Sequence, residues 1–154
     1  MKFLLCFFLL TGLAHAEDGI KKVVYDLTSG DIKVFERKVL SGIANSKSHY
    51  ESQLEELEAT VVIHGGAYKF FIEDLINSPF KNESDLNKAH KDLAKRLSAM
   101  SEIYDIEFLM CEIGMRKLKI DEKSLYKFVK LVPNSTIGLI DKQNEGSAYI
   151  PISK

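Results

Sequence analysis

The sequence predicts an α/β protein: a three-layer α/β/α sandwich around a mostly parallel five-stranded sheet. Three observations lead there. Apolar runs of strand length alternate with segments of helical spacing from Lys22 to Ile150, the pattern of successive βα units. The run Ala59-Thr60-Val61-Val62-Ile63-His64 is continuous rather than alternating, which suits a parallel strand covered on both faces. Turn and cap residues separate the runs, among them Thr28-Ser29-Gly30-Asp31, Gly65-Gly66, Asn77-Ser78-Pro79 and Pro133-Asn134.

Taken in order, Lys22-Val23-Val24-Tyr25-Asp26-Leu27 is the first strand. Phe35, Val39 and Ile43 then recur four apart and predict a helix with one apolar face, ending near Asn45-Ser46. Between Ser48 and Glu58 only Leu54 and Leu57 are strongly apolar, so this stretch either extends the helix or forms a loop. The second strand, Ala59 to His64, stops at Gly65-Gly66. Ala67 to Ile76 reads as a helix with Phe70, Phe71, Leu75 and Ile76 inward, and Ser84-Asp85 can cap a third helix that keeps Leu86, Ala89, Leu93 and Leu97 on one face. Ile106 to Cys111 is the third strand, followed by a short helix or turn from Glu112 to Leu118. Asp121-Glu122-Lys123-Ser124 begins a further helix with Leu125 and Phe128 inward. Val129 to Val132 is the fourth strand. Ser135-Thr136 caps a last helix carrying Ile137, Leu139 and Ile140, Gly146 ends it, and Ala148-Tyr149-Ile150 is the fifth strand. With right-handed crossovers, a flavodoxin-like order 2-1-3-4-5 would place a topological switch point between strands one and three. Leu27-Thr28 and Cys111 end those strands, and His64 ends the neighbouring one.

At 154 residues the chain suits one domain with a full hydrophobic core, and 45% apolar with 28% charged residues is ordinary for a soluble globular protein. A net charge of −1 gives no basic footprint for nucleic acid. The first residues stand apart. Lys2 is a positive n-region, Phe3 to Leu13 is apolar but for Thr11 and Gly12, and Ala14-His15-Ala16 is a small-x-small cleavage pattern. Residues 1–16 therefore read as a secretory signal peptide and 17–154 as a single domain. The apolar run is far shorter than the roughly 20 residues that span a membrane, and Cys6 lacks the small residue before it that a lipoprotein needs. Cleavage after Ala16 implies export, to the periplasm in a Gram-negative source, with no membrane association afterwards. Cys6 leaves with the signal, so Cys111 is the sole thiol of the mature chain and no internal disulfide is possible. An unpaired Cys in an exported chain points to pairing with another molecule or to a reactive thiol.

Cys111 is the first candidate for chemistry. It stands at the carboxyl end of a strand, facing a helix N-terminus, where open α/β sheets bind ligands and where a thiolate is favoured over a thiol. As a small buried core residue it would instead be inert. Glu112 opposes a second negative charge, and Arg116 and Lys117 can offset it. Cys-x-x-Cys redox chemistry needs a second Cys. The spacing from Cys111 to Arg116 is too short for a tyrosine-phosphatase-type loop. One Cys with scattered His gives no metal cluster, and no metal or organic cofactor is expected. His49 and His90 read as helix-surface residues. His64-Gly65-Gly66 is second: glycines after a strand make an ordinary tight turn, or let a backbone approach a ligand and expose N–H groups. His64, if close to Cys111, can assist proton transfer or stabilise the thiolate. Met115, Tyr68 and Tyr149 either line a pocket near the thiol or pack at helix and sheet ends.

The order of these pieces resembles the DsrE/DsrF-like family of small sulfur-relay proteins, over nearly the whole mature length. The resemblance runs through Lys22-Val23-Val24-Tyr25, the strand ending in His64-Gly65-Gly66, Phe108-Leu109-Met110-Cys111 with Met115 beyond, Val132-Pro133-Asn134-Ser135, and Glu145-Gly146-Ser147-Ala148-Tyr149-Ile150. It implies a flavodoxin-like fold, homo-oligomers, and a persulfide on Cys111 filled from a sulfur donor and emptied to an acceptor thiol, with His64 at the histidine of the family's His-Gly motif. The substrate- or anion-binding positions are then Gly65, Gly66, Glu112, Gly114 and Met115. The alternatives are a binding or assembly module of the same fold with an inert cysteine, and a thiol redox sensor that dimerises through Cys111.

Overall fold

Five parallel strands carry the architecture, and the helical segments cross between them. The computed structural model describes residues 20–154, so the expected signal peptide lies outside the described residues. Strands β1 (Ile20–Leu27), β2 (Glu56–Ile63), β3 (Glu107–Cys111), β4 (Val129–Val132) and β5 (Ala148–Ile152) form one sheet in the order β4-β3-β2-β1-β5, every pair parallel. The flavodoxin-like sandwich is the predicted one, with a sheet that is wholly rather than mostly parallel.

The expected strand order is corrected. An order of 2-1-3-4-5 would put β1 beside β3 and leave β2 at an edge. In the structure β2 lies between them, the chain winds outward from β1 to β4, and β5 returns to the far side of β1. The reason is in β2 itself. Its residues from Ala59 to Ile63 are all buried, so the continuous apolar run takes the central place with a neighbour on each side. No switch point separates β1 from β3.

Asp31 caps the first helix by accepting the Val34 N–H at 2.9 Å. Helix α1 (Ile32–Val34) continues through a π-helical segment, Phe35–Ile43, into α2 (Ala44–Glu51), past the expected stop at Asn45-Ser46. Phe35, Val39, Leu40 and Ile43 are buried. Helix α3 (Ser84–Glu102) packs Leu86, Leu93, Leu97 and Met100 inward. Helices α4 (Glu112–Lys117) and α5 (Ser135–Asn144) follow β3 and β4, and Asn134 rather than Ser135 or Thr136 caps α5 through the Ile137 N–H at 2.9 Å.

Two expected helices are absent, for one shared reason. The stretch Ala67 to Ile76 forms two 3₁₀ turns, Ala67–Phe71 and Leu75–Asn77, and Asp121 to Phe128 forms only the turn Glu122–Ser124. Between the turns the two segments pair with each other. Ile72 and Leu125 make an antiparallel bridge, Glu73 N–H donates to the Ser124 carbonyl at 2.7 Å, and Tyr126 N–H donates to the Phe71 carbonyl at 3.3 Å. Backbone groups satisfied across the chain cannot also close helical turns. Phe70, Phe71 and Leu75 are still buried, but Ile76, expected inward, is 80% exposed.

The sheet's two faces are covered unequally. One packs against the Phe35–Ile43 segment and α3 to form the main core. The other buries Val24, Val62 and Leu109 beneath α5, with Val132 and Leu139 against them. Gly138 lets α5 come close: a Cβ there would lie 3.3 Å from Val132 Cγ2.

Candidate functional site at the carboxyl edge of the sheet

Cys111 is the last residue of β3 and the N-cap position of α4. Ile63 of β2 pairs with Met110 of β3, so His64 and Cys111 leave the sheet side by side. Both line a cavity of about 330 Å³, with Gly65 and Tyr68. The α4 segment adds Ile113, Gly114, Lys117 and Leu118, and Ser135 at the start of α5 completes it. Cys111 is 7% exposed, so its sulfur is largely covered, but it opens on this cavity rather than being sealed on every side.

The thiol's surroundings favour its charged form. Burial pushes the Cys111 pKa up, but hydrogen bonds from the Gly114 backbone, the Tyr68 hydroxyl and the Ser135 backbone and side chain outweigh it, and the thiol is held below its ordinary value. Burial and the neighbouring Cys111 push the Tyr68 phenol well above its ordinary range, so at neutral pH it is a donor. The Tyr68 hydroxyl donates to the Cys111 carbonyl at 2.9 Å and lies beside the sulfur, where its proton can turn to a thiolate. This approach requires glycine at 114, because a Cβ there would lie 1.9 Å from the Tyr68 oxygen.

The other predicted positions divide. Gly65 lines the cavity at a φ of 62°, and a Cβ on it would lie 2.9 Å from the Thr28 carbonyl oxygen. Gly66 does not reach the thiol: its N–H donates to the Thr28 carbonyl at 2.8 Å, and its backbone packs against Gly30. Gly114 contributes its backbone N–H to the thiol. Glu112 turns to Arg116 at 2.7 Å, which offsets its charge, and Met115 is buried in the main core; neither lines the cavity.

His64 is part of a second arrangement. Its Nε2 lies 2.5 Å from Asp26 Oδ1, and the Tyr149 hydroxyl donates to Asp26 Oδ2 at 2.6 Å. The hydrogen bond to that carboxylate holds the Tyr149 phenol above its ordinary value. His90, read as a surface residue, is half-buried, with Nε2 2.8 Å from the Ile72 carbonyl oxygen. Among the described residues no group of three or more His, Cys, Asp and Glu side chains could hold a metal ion, and no helix is long and apolar enough to cross a membrane.

Sequence reasoning passed over Asp26, Ser135 and Lys117 as members of the site. Asp26 had a signal, a carboxylate inside an otherwise apolar strand. Ser135 had a weaker one, a hydroxyl just past the carboxyl end of β4. Lys117 had only its charge, weighed with that of Arg116 against Glu112 and not as part of a cavity wall.

Fold and site define a small parallel α/β protein with one free thiol, among the described residues, at the sheet's carboxyl edge. Residues 22–152 match the model of the DsrE/DsrF-like family, and the chain belongs to that family. The family points in general terms to sulfur relay. The chain is 31% identical, over 130 residues and 84% of its length, to an uncharacterized protein of Aquifex aeolicus (strain VF5), and spans 55% of that relative. A solved protein of unknown function from Methanobacterium thermoautotrophicum shares the fold, with a TM-score of 0.54 at 21% identity over 85% of this chain and 98% of that one.

Proposed function

We propose that this chain is a sulfur carrier that holds sulfane sulfur as a persulfide on Cys111. The observation that carries the reading is the placement of Cys111: it opens on a cavity whose donors, Gly114, Tyr68 and Ser135, favour the thiolate. The thiolate is the nucleophile. It attacks the outer sulfur of a persulfide, polysulfide or thiosulfonate donor, the donor's sulfur–sulfur bond breaks, and Cys111–S–SH remains. An acceptor thiolate then takes the outer sulfur and restores Cys111. Neither step needs a metal or an organic cofactor. Lys117 at the cavity wall suits an anionic donor, and the Gly65 and Gly114 backbones can approach its sulfur. The same reading takes the chain as exported after cleavage at Ala16 and as a homo-oligomer that exchanges sulfur with small-molecule or protein thiols.

Intact-mass and peptide mass spectrometry after polysulfide treatment will show one added sulfur on Cys111 and none on Cys111→Ser. A folded chain whose Cys111 takes no sulfur and resists alkylation would instead be a binding or assembly module with an inert cysteine.

A further inference from the structure

Asp26 is out of character for its strand. β1 is flanked by β2 and β5, and Asp26 stands between Tyr25 and Leu27, both buried. A carboxylate inside a covered strand is disfavoured unless it is paired, and a residue that breaks the local rule is expected at a functional site. Both oxygens of Asp26 are engaged, Oδ1 with His64 Nε2 at 2.5 Å and Oδ2 with the Tyr149 hydroxyl at 2.6 Å. Its partner His64 follows β2 at the position next to Cys111 and lines the same cavity. Three strands thus converge on one ring: Asp26 from β1, His64 after β2 and Tyr149 from β5.

We propose that Asp26 and Tyr149 are positioning residues that hold His64 as the proton carrier for sulfur transfer at Cys111. The proposal rests on the persulfide reading above and adds a route for the proton. The carboxylate fixes the ring through Nε2, leaving Nδ1 to carry the exchanged proton. Tyr149 satisfies the second carboxylate oxygen and keeps Asp26 from turning away. The other titratable groups around the ring are Cys111 from β3, Tyr68 from the turn after β2 and Lys117 from α4.

The protons and electrons balance. The Cys111 thiolate attacks the outer sulfur of an alkyl persulfide R–S–SH, and the S–S bond breaks with its electron pair on R–S⁻. The His64 imidazolium protonates that thiolate to R–SH. In the return step an acceptor R′–SH gives its proton to the His64 imidazole and takes the outer sulfur of Cys111–S–SH. The products are R′–S–SH and the Cys111 thiolate, and no external oxidant or reductant enters.

The relay predicts a dependence on leaving group that a purely structural role would not produce. Rates of Cys111 persulfide formation are compared in the wild-type chain, Asp26→Asn and Tyr149→Phe with two donors. An alkyl persulfide releases a basic thiolate that needs a proton, whereas an arenethiosulfonate releases a sulfinate that does not. Asp26→Asn is expected to slow the reaction with the persulfide about tenfold or more, but with the thiosulfonate by less than about twofold. Tyr149→Phe is expected to change the donor ratio in the same direction by a smaller factor. Because the ratio is internal to each variant, partial unfolding cannot imitate it. Equal losses with both donors, or no loss with either, would overturn the relay and leave the Cys111 carrier intact. A wild-type chain that accepts sulfur from neither donor would overturn both together.

Discussion

The two faces of the sheet are built on different terms. One buries Phe35, Phe70, Phe71 and Phe108, with Phe35 stacked on Phe70 at 4.2 Å and edge-on to Phe71 at 5.8 Å. The other, among the described residues, buries Val24, Val62 and Leu109 with Val132 and Leu139 against them. That apolar strip lies between two polar groups. Towards the start of β3, Glu107 accepts from Lys130 at 2.9 Å, Lys142 at 2.8 Å and Thr60 at 3.2 Å. Towards the carboxyl edge, Asp26 joins His64 and Tyr149. The contrast teaches where chemistry can reside. A thick apolar face gains its stability from buried area and makes an unpaired charge costly. A face one helix deep, close to water, accommodates ionisable groups provided each has a partner. Cys111 lies at the junction: it touches the main core but opens at the sheet's end among polar donors.

The sharpest way to break this comparison is to cut the same kind of contact from each face. Phe35→Ala is expected to cost about 3–5 kcal/mol by chemical denaturation, since a fully buried ring leaves a cavity. Leu139→Ala, on a half-buried side chain over the thin face, is expected to cost about 1 kcal/mol. Equal costs would mean that the two faces contribute alike.

Glu107 tests the polar end of the thin face. Burial pushes its carboxyl up, but Lys142 and Lys130 outweigh that and hold it below its ordinary 4.5. A carboxylate depressed on folding contributes stability that is present above its unfolded value and lost as pH falls through its folded value. Glu107→Gln should therefore cost about 1 kcal/mol at neutral pH, and the gap from wild type should close as pH falls below 4.5. A gap that stays constant down the acid limb would show that the charge contributes nothing.

A last test concerns the thiol. Tyr68→Phe removes a donor, so the pH midpoint for alkylation of Cys111 should move up towards that of an ordinary thiol, with a stability cost of about 1 kcal/mol. An unmoved midpoint would assign the lowering to Gly114 and Ser135 alone.

Much of the fold was legible in the sequence because β-strands and long amphipathic helices advertise themselves by period. The five strands, the cap at Asp31, the inward stripe of α3 and the turn at Gly146, with its φ of 94°, were all readable. The two missed stretches were not, because each is the other's partner. Phe70 and Phe71 followed by Leu75 imitate a helical stripe, yet the backbone from Ile72 to Asp74 bonds to residues about fifty positions later. The site was half legible. Cys111 and His64 announced themselves as strand ends, and Gly114 and Gly65 fell within the marked stretches. Gly66, Glu112 and Met115 looked equally suitable, and only the course of the chain turned them towards Thr28, Arg116 and the core.

What the sequence by itself determined was the kind of protein: alternating strands and helices, a cysteine at a strand's end, and a glycine pair after its neighbour. These follow from local periodicity and from side chains that favour particular backbone shapes. Only the tertiary structure decided which strand took the centre, which segments paired instead of coiling, and which carboxylate met His64. Those depend on contacts between residues far apart in the chain, where burial of the most apolar strand and satisfaction of buried polar groups outweigh local preference.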